Sequence, residues 1–154
     1  MQPLMLDIYV DGDACPVKAE TQKVAARYGL VMHLVSNSGL RMGADPLVHQ
    51  VVVPGSFDAV DDWIAEHIGT GDIAITADIL LARRCLDKGA AVIGPDGRPF
   101  TRDNIGAAIA MRALHADLRD MGEIRGSGRG FARQDRSRFL GALDAAVHAL
   151  KRPR

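Results

Sequence analysis

Short apolar runs alternate with amphipathic stretches along the chain. Leu6-Asp7-Ile8-Tyr9-Val10 is rich in β-formers and runs into Asp11-Gly12-Asp13, which predicts a strand and then a turn. Pro16 suits a first helical position, and 17–28 reads as a helix stopped by Gly29. A second strand is predicted over 30–35, closed by Ser36-Asn37-Ser38-Gly39, then a loop over 40–46 and a third strand over 48–53. Phe57, Val60, Ile64 and Ile68 recur at helical spacing until Gly69-Thr70-Gly71 breaks the pattern. There follow a strand over 72–77, a helix over 79–88 ended by Gly89, and a short strand over 90–93 before the turn Pro95-Asp96-Gly97. Long helices are predicted over 104–121 and 134–150, joined by the loop Gly126-Ser127-Gly128-Arg129-Gly130. Strands alternating with helices imply an α/β fold, a parallel sheet covered by helices on both faces.

No repeat or low-complexity linker divides the pattern, and 154 residues fit one domain of ordinary size, spanning 1–154. Hydrophobic residues at 47% and charged residues at 25% make the composition globular. Two cysteines, Cys15 and Cys85, cannot build a disulfide framework, and no CxxC or Cys/His cluster points to zinc. No basic start leads into an apolar run as in a signal peptide, and no apolar stretch approaches the ~20 residues of a membrane span. The expectation is a soluble, cytoplasmic protein with no membrane partner. Aromatic residues, at 5%, are too few to signal a base-stacking platform.

Charge changes the picture. The formal net charge is +0, yet residues 1–97 hold seven bases and thirteen acids, and 98–154 hold twelve bases and six acids. A net −6 first part joined to a net +6 helical last part implies a site that gathers cations beside a surface that attracts anions.

Asp11 and Asp13 lie two apart at the end of the first predicted strand, so both point to one side if the extension persists. Asp78 holds the equivalent place after the fourth strand. Ligands of doubly wound sheets bind beyond the carboxyl ends of the strands, and if strands one and four are neighbours these three acids converge there. Asp72 begins the same strand and lies ~20 Å away at the opposite edge, at ~3.3 Å per residue. Clustered carboxylates repel unless they bind a cation or share a proton, and all-oxygen ligation fits Mg²⁺ or Mn²⁺. The competing structural role for Asp11 and Asp13 is capping of the following helix. Asp61 and Asp62 stand in the first turns of the second helix, where the positive helix end alone explains acids. Ser36 and Asn37 make a turn or bind phosphate, the turn being the simpler reading. Cys15 reads as a small buried residue, and His33, His49, His67, His115 and His148 show no ligand spacing.

Arg112, Arg119, Arg125, Arg129, Arg133, Arg136 and Arg138 crowd the last two helices and their linking loop. Guanidinium forks pair bidentately with phosphate, and glycine backbone at 126–130 lets N–H groups approach the same anion. Lys18, in the first turn of the first helix, could meet a phosphate too. Arg112, Arg125, Arg129, Arg133 and Arg136, with Lys18, are the candidate contacts to a nucleic acid, RNA being expected and sequence-specific readout not.

Several segments together resemble one family. Val10-Asp11-Gly12-Asp13-Ala14-Cys15-Pro16-Val17 is similar to the opening motif of the YaiI/YqxD family of small bacterial proteins, with Gly12 where Ala is usual. Ile75-Thr76-Ala77-Asp78-Ile79-Leu80-Leu81-Ala82 resembles its second motif, with Leu80 where Pro is usual. Phe100-Thr101 with Asn104-Ile105, and Asp135-Arg136-Ser137-Arg138-Phe139, resemble later motifs, while the loop 126–130 departs from the family's Gly-Gly-Pro pattern. The resemblance implies a three-layer, PIN-like sandwich with strand order 3-2-1-4-5 and a metal-dependent nuclease. Its acids would fall on Asp11, Asp13, Asp78 and Asp62, with Asp11, Asp13 and Asp78 catalytic.

Two other readings fit parts of the sequence. A haloacid-dehalogenase-like phosphatase would use Asp11 as nucleophile and Asp13 as general acid, but the chain leaves no room for its flap and shows no lysine motif before Asp78. A non-catalytic RNA-binding module would keep the acids without turnover. Oligomeric state is not legible.

Overall fold

A computed structural model describes residues 6–13, 15–39, 45–120 and 133–151. The strands β1 (Ile8–Asp11), β2 (Met32–Ser36), β3 (Val48–Val52), β4 (Ile73–Ile75) and β5 (Ala91–Ile93) are parallel. Helix α1 (Lys18–Tyr28) joins β1 to β2, α2 (Phe57–His67) joins β3 to β4, and α3 (Ile79–Asp87) joins β4 to β5. β3 follows β2 with no helix among the described residues between them. A two-residue strand β6 (Pro99–Phe100) then pairs antiparallel with β5, and α4 (Arg102–Asp120) and α5 (Arg133–Lys151) follow. The sheet order is β3-β2-β1-β4-β5-β6, the expected order with one added edge strand.

Alternation along the central strands divides the core into two layers. Ile8, Val10, Met32, Leu34, Ile73 and Ile75 face α1 and α5, where they meet Val24, Ala25, Phe139, Leu143 and Val147. Tyr9, Val35, Ala74 and Val92 face the other way, against Val60 and Ile64 of α2 and Leu81, Ala82 and Cys85 of α3. The central strands are therefore apolar on both faces, as a parallel sheet between helical layers requires. This is a three-layer α/β sandwich.

Some boundaries depart from the expectation. Pro16 sits in a turn and α1 begins at Lys18. α4 begins two residues early, at Arg102. β6 was not expected. It closes the turn Gly94-Pro95-Asp96-Gly97, in which Gly94 donates to the Arg98 carbonyl at 2.9 Å. Among the described residues no helix is long and apolar enough to cross a membrane.

Candidate functional site

β1 and β4 run side by side in register, Val10 opposite Ile75, so the residues that follow them emerge together at the carboxyl ends. Asp11 ends β1, and Asp78 is the N-cap of α3 just beyond β4. Asp13 is not on extended strand. The chain turns after Asp11, where Gly12 donates to the Val35 carbonyl at 2.8 Å, and the turn still brings Asp13 to the same mouth. Asp11, Asp13, Cys15, Asp61, Thr76, Ala77, Asp78 and Pro95 line one cleft of about 200 Å³.

Hydrogen bonds hold three of the cleft acids, Asp11, Asp13 and Asp78. The buried Thr76 hydroxyl donates to Asp11 Oδ2 at 3.1 Å and accepts from the Asp78 N–H at 2.9 Å, so it links the two strand ends. Asp13 Oδ2 accepts from the Asn37 N–H at 2.8 Å, and the Asn37 amide is fixed in turn on the carbonyls of Val53 and Ser56. Asn37 therefore positions Asp13 and is not set to bind phosphate; Ser36 donates to the Ser38 carbonyl, the turn reading. Asp78 Oδ1 accepts from the N–H groups of Leu80 and Leu81, a helix cap in full. Among the described residues Asp11 and Asp13 cap no helix: the N-cap of α1 is Val17, with no side-chain bond to the helix.

The fourth cleft acid is Asp61. Asp62 lies outside the cleft lining, exposed, with its Oδ1 2.8 Å from Arg84 Nη1 of α3. Successive helical residues project about 100° apart, so only one of the two can face the cleft. The helical wheel carried the signal that tells them apart. Measured from the Phe57/Val60/Ile64/Ile68 stripe, Asp61 stands about 55° away and Asp62 about 155°. Thr76 was missed as well, its signal being a polar residue closing a strand otherwise buried.

Burial first, and then repulsion between carboxylates, marks the cluster. Burial raises the Asp11 carboxyl above the ordinary range, Asp78 and Asp13 add to the rise, and the Thr76 hydrogen bond opposes it. Asp61 is pushed up to about 6, first by burial and then by Asp78, Asp11 and Asp58, with Arg84 opposing. The Cys15 thiol is also raised, chiefly by burial, which keeps it protonated and makes it a wall of the cleft with poor nucleophilic character.

The donor chemistry fits a hard divalent cation: four carboxylates, with one oxygen each of Asp11, Asp13 and Asp78 engaged by Thr76, Asn37 and the α3 backbone, beside a Cys15 thiol that burial keeps protonated. Among the described residues no three acidic, histidine or cysteine side chains close on one point as a metal cage would. Mg²⁺ needs no such cage, since it keeps several waters and takes one or two carboxylates. The residues fit an ion held partly through water.

The other predicted residues scatter. Lys18 Nζ donates to the Cys15 carbonyl at 2.6 Å, and Arg136 Nη1 to the Pro16 carbonyl at 2.7 Å. Arg112 and Arg133 are exposed on α4 and α5. Arg125, Arg129 and the loop 126–130 lie outside the described residues. Asp72 is at the opposite sheet edge, as expected, accepting from the N–H groups of Asp7 and Gly69. His33 pairs with Asp7 at 2.9 Å and stacks on Tyr9, and His67 stacks on Trp63, so both serve packing.

A family model described as "Uncharacterized BCR, YaiI/YqxD family" matches residues 9–149. The UPF0178 protein of Parvibaculum lavamentivorans is 58% identical over 148 residues, covering 96% of this chain and 97% of that relative. A UPF0178 protein of Rhodospirillum centenum is 59% identical over 154 residues, covering 97% of this chain and 100% of its own. One from Rhodospirillum rubrum is 53% identical over 150 residues. No solved structure matches the chain.

Proposed function

The chain belongs to the YaiI/YqxD family, and we propose that it is a PIN-like nuclease, hydrolysing phosphodiester bonds of RNA with Mg²⁺ or Mn²⁺. The observation that carries this reading is the convergence of Asp11, Asp13, Asp61 and Asp78 on one cleft at the carboxyl ends of β1 and β4. Among the described residues two of these acids cap no helix, and two, Asp11 and Asp61, are held above their ordinary pKa first by burial and then by neighbouring carboxylates. Such charge is costly to a fold and is relieved by a bound cation.

Asp11 and Asp78 would hold the ion directly, with Asp13 and Asp61 contributing through water; Asp61 takes the place first expected of Asp62. When bound, the cation supplies positive charge to the phosphoryl oxygens and lowers the pKa of a bound water. The chain's own part is orientation: Thr76 fixes Asp11 relative to Asp78, and Asn37 fixes Asp13. Water adds to phosphorus, the bond to the leaving oxygen breaks, and that oxygen takes up the proton. No side chain need form a covalent bond. The phosphatase alternative finds no lysine among the described residues lining the cleft.

RNA is drawn by the basic last part of the chain, where Arg112 and Arg133 present exposed guanidinium groups. We read 1–154 as one PIN-like domain working in the cytoplasm, a reading supported by the single six-stranded sheet and the two free, buried cysteines. The test is hydrolysis of single-stranded RNA with Mn²⁺ by the wild-type chain and by Asp11→Asn. Mn²⁺-dependent cleavage that falls at least 100-fold in the variant is expected. RNA binding with no cleavage in any metal identifies the non-catalytic module, and isotope from labelled water entering Asp11 during turnover identifies the phosphatase.

A further inference from the structure

The segment Asp135-Arg136-Ser137-Arg138-Phe139 opens α5, and Arg136 reads from sequence as a phosphate contact. The structure gives it other partners. Arg136 Nη1 donates to the Pro16 carbonyl at 2.7 Å and stands 3.2 Å from Glu20 Oε2, with the Glu20 side chain only 17% exposed. Phe139, fully buried, belongs to the same core layer as Cys15 and Val17. Between them the backbone of Arg138 lies against Gly97, where a Cβ would come within 2.8 Å of the Arg138 carbonyl carbon and oxygen. Gly97 also has φ +87°, so both its conformation and its neighbour demand glycine. It closes the turn that carries Pro95, its N–H donating to the Gly94 carbonyl at 2.9 Å.

Cys15 and Pro95 both line the carboxylate cleft, whereas none of the described residues of α5 does. The first turns of α5 thus hold two of the loops that wall the site, one through Arg136 and one through the Arg138 backbone. We infer that Arg136 is a positioning residue of the cleft: it fixes the loop bearing Asp13, Cys15 and Pro16, and does not serve as a phosphate grip. The inference rests on the proposed function only for what the cleft does, since the clamp stands on contacts already given. With the Arg136 side chain 46% exposed, the ion pair to Glu20 alone would contribute little. The charge-assisted bond to a carbonyl is the stronger part, and the planar fork lets one side chain serve carbonyl and carboxylate together. Lysine would keep one of the two.

Alkylation of Cys15 in the full-length native chain, followed by peptide mass spectrometry, tests the clamp directly. Cys15 is 6% exposed and Cys85, in the opposite core layer, 0% exposed. Arg136→Gln should raise the Cys15 rate about tenfold, Arg136→Lys by less, and Arg133→Gln not at all, with Cys85 staying slow throughout. Should Arg136→Gln label both cysteines and so prove unfolded, Arg136→Lys decides: faster Cys15 with slow Cys85 supports the clamp. Mn²⁺ affinity should fall about tenfold in Arg136→Gln, as for other groups that orient ligands, while the salt dependence of RNA binding stays that of wild type. Cys15 labelled no faster than in Arg133→Gln would overturn the inference, as would a salt slope reduced with Mn²⁺ affinity intact. A wild-type chain that binds no Mn²⁺ removes the proposed function and leaves the clamp to the Cys15 rates.

Discussion

Asp61 and Asp11 show at single-residue scale what the cleft demands of the fold. Asp61 moves from its ordinary 3.8 up to about 6, so the folded chain holds that proton more tightly than the unfolded chain does. Its favourable contribution is therefore complete below about pH 4 and lost as pH rises through about 6. Asp61→Asn removes the loss. The variant should melt about 2–4 °C higher than wild type at pH 8 and no higher at pH 4, a gain of ~1 kcal/mol once solvent screening of this half-exposed group is allowed for. Thermal melts at the two pH values check this, and a stabilisation equal at both would contradict the electrostatic account. The choice between Asp61 and its neighbour was open to the sequence, since the apolar stripe of α2 already orients the helix. Thr76 was harder to find: its task depends on the register of β1 against β4, which no single segment encodes.

At the scale of elements, Asp78 has two tasks that a single substitution can separate. As N-cap it accepts from Leu80 and Leu81, and as an anion it faces Asp11 and Asp61. Asparagine caps about as well as aspartate, whereas alanine does not, at a cost of typically ~1 kcal/mol. Asp78→Asn should keep the melting temperature within about 2 °C of wild type yet bind Mn²⁺ at least tenfold more weakly; Asp78→Ala should lose stability as well. Calorimetry on the pair reads both effects, and an Asp78→Asn chain that binds Mn²⁺ like wild type would reduce Asp78 to a cap. The strands and helices themselves were readable because β1, β2 and β4 are short apolar runs and α2 keeps a clear stripe. β6 was not, because two residues carry no period and their pairing follows from the turn at Gly97. Asp13 reached its place by a different route from the one expected, through the turn after Asp11 instead of a continued strand.

Along the whole chain the charge divides, residues 1–97 being net acidic and 98–154 net basic, and four of the acids line the cleft at the sheet mouth. Sequence alone conveyed that division well. It could not tell which arginines are engaged, and Arg136 proved to be bonded to the site loop while Arg112 and Arg133 remain exposed. Affinity for single-stranded RNA should fall with salt by a log–log slope of ~0.7 per phosphate neutralised. Replacing Arg112 and Arg133 together by Ala should flatten that slope without changing Mn²⁺ affinity, measured by fluorescence anisotropy over a salt series. An unchanged slope would make these two residues a solvated surface. The central claim, that the four-acid cleft is a divalent-cation site, is tested most directly by calorimetric titration of Mn²⁺ into the wild-type chain, Asp11→Asn and Asp62→Asn. The account predicts one saturable site in wild type, binding at least tenfold weaker in Asp11→Asn, and Asp62→Asn indistinguishable from wild type. Equal affinity in wild type and Asp11→Asn, or no binding by the wild-type chain, would contradict it.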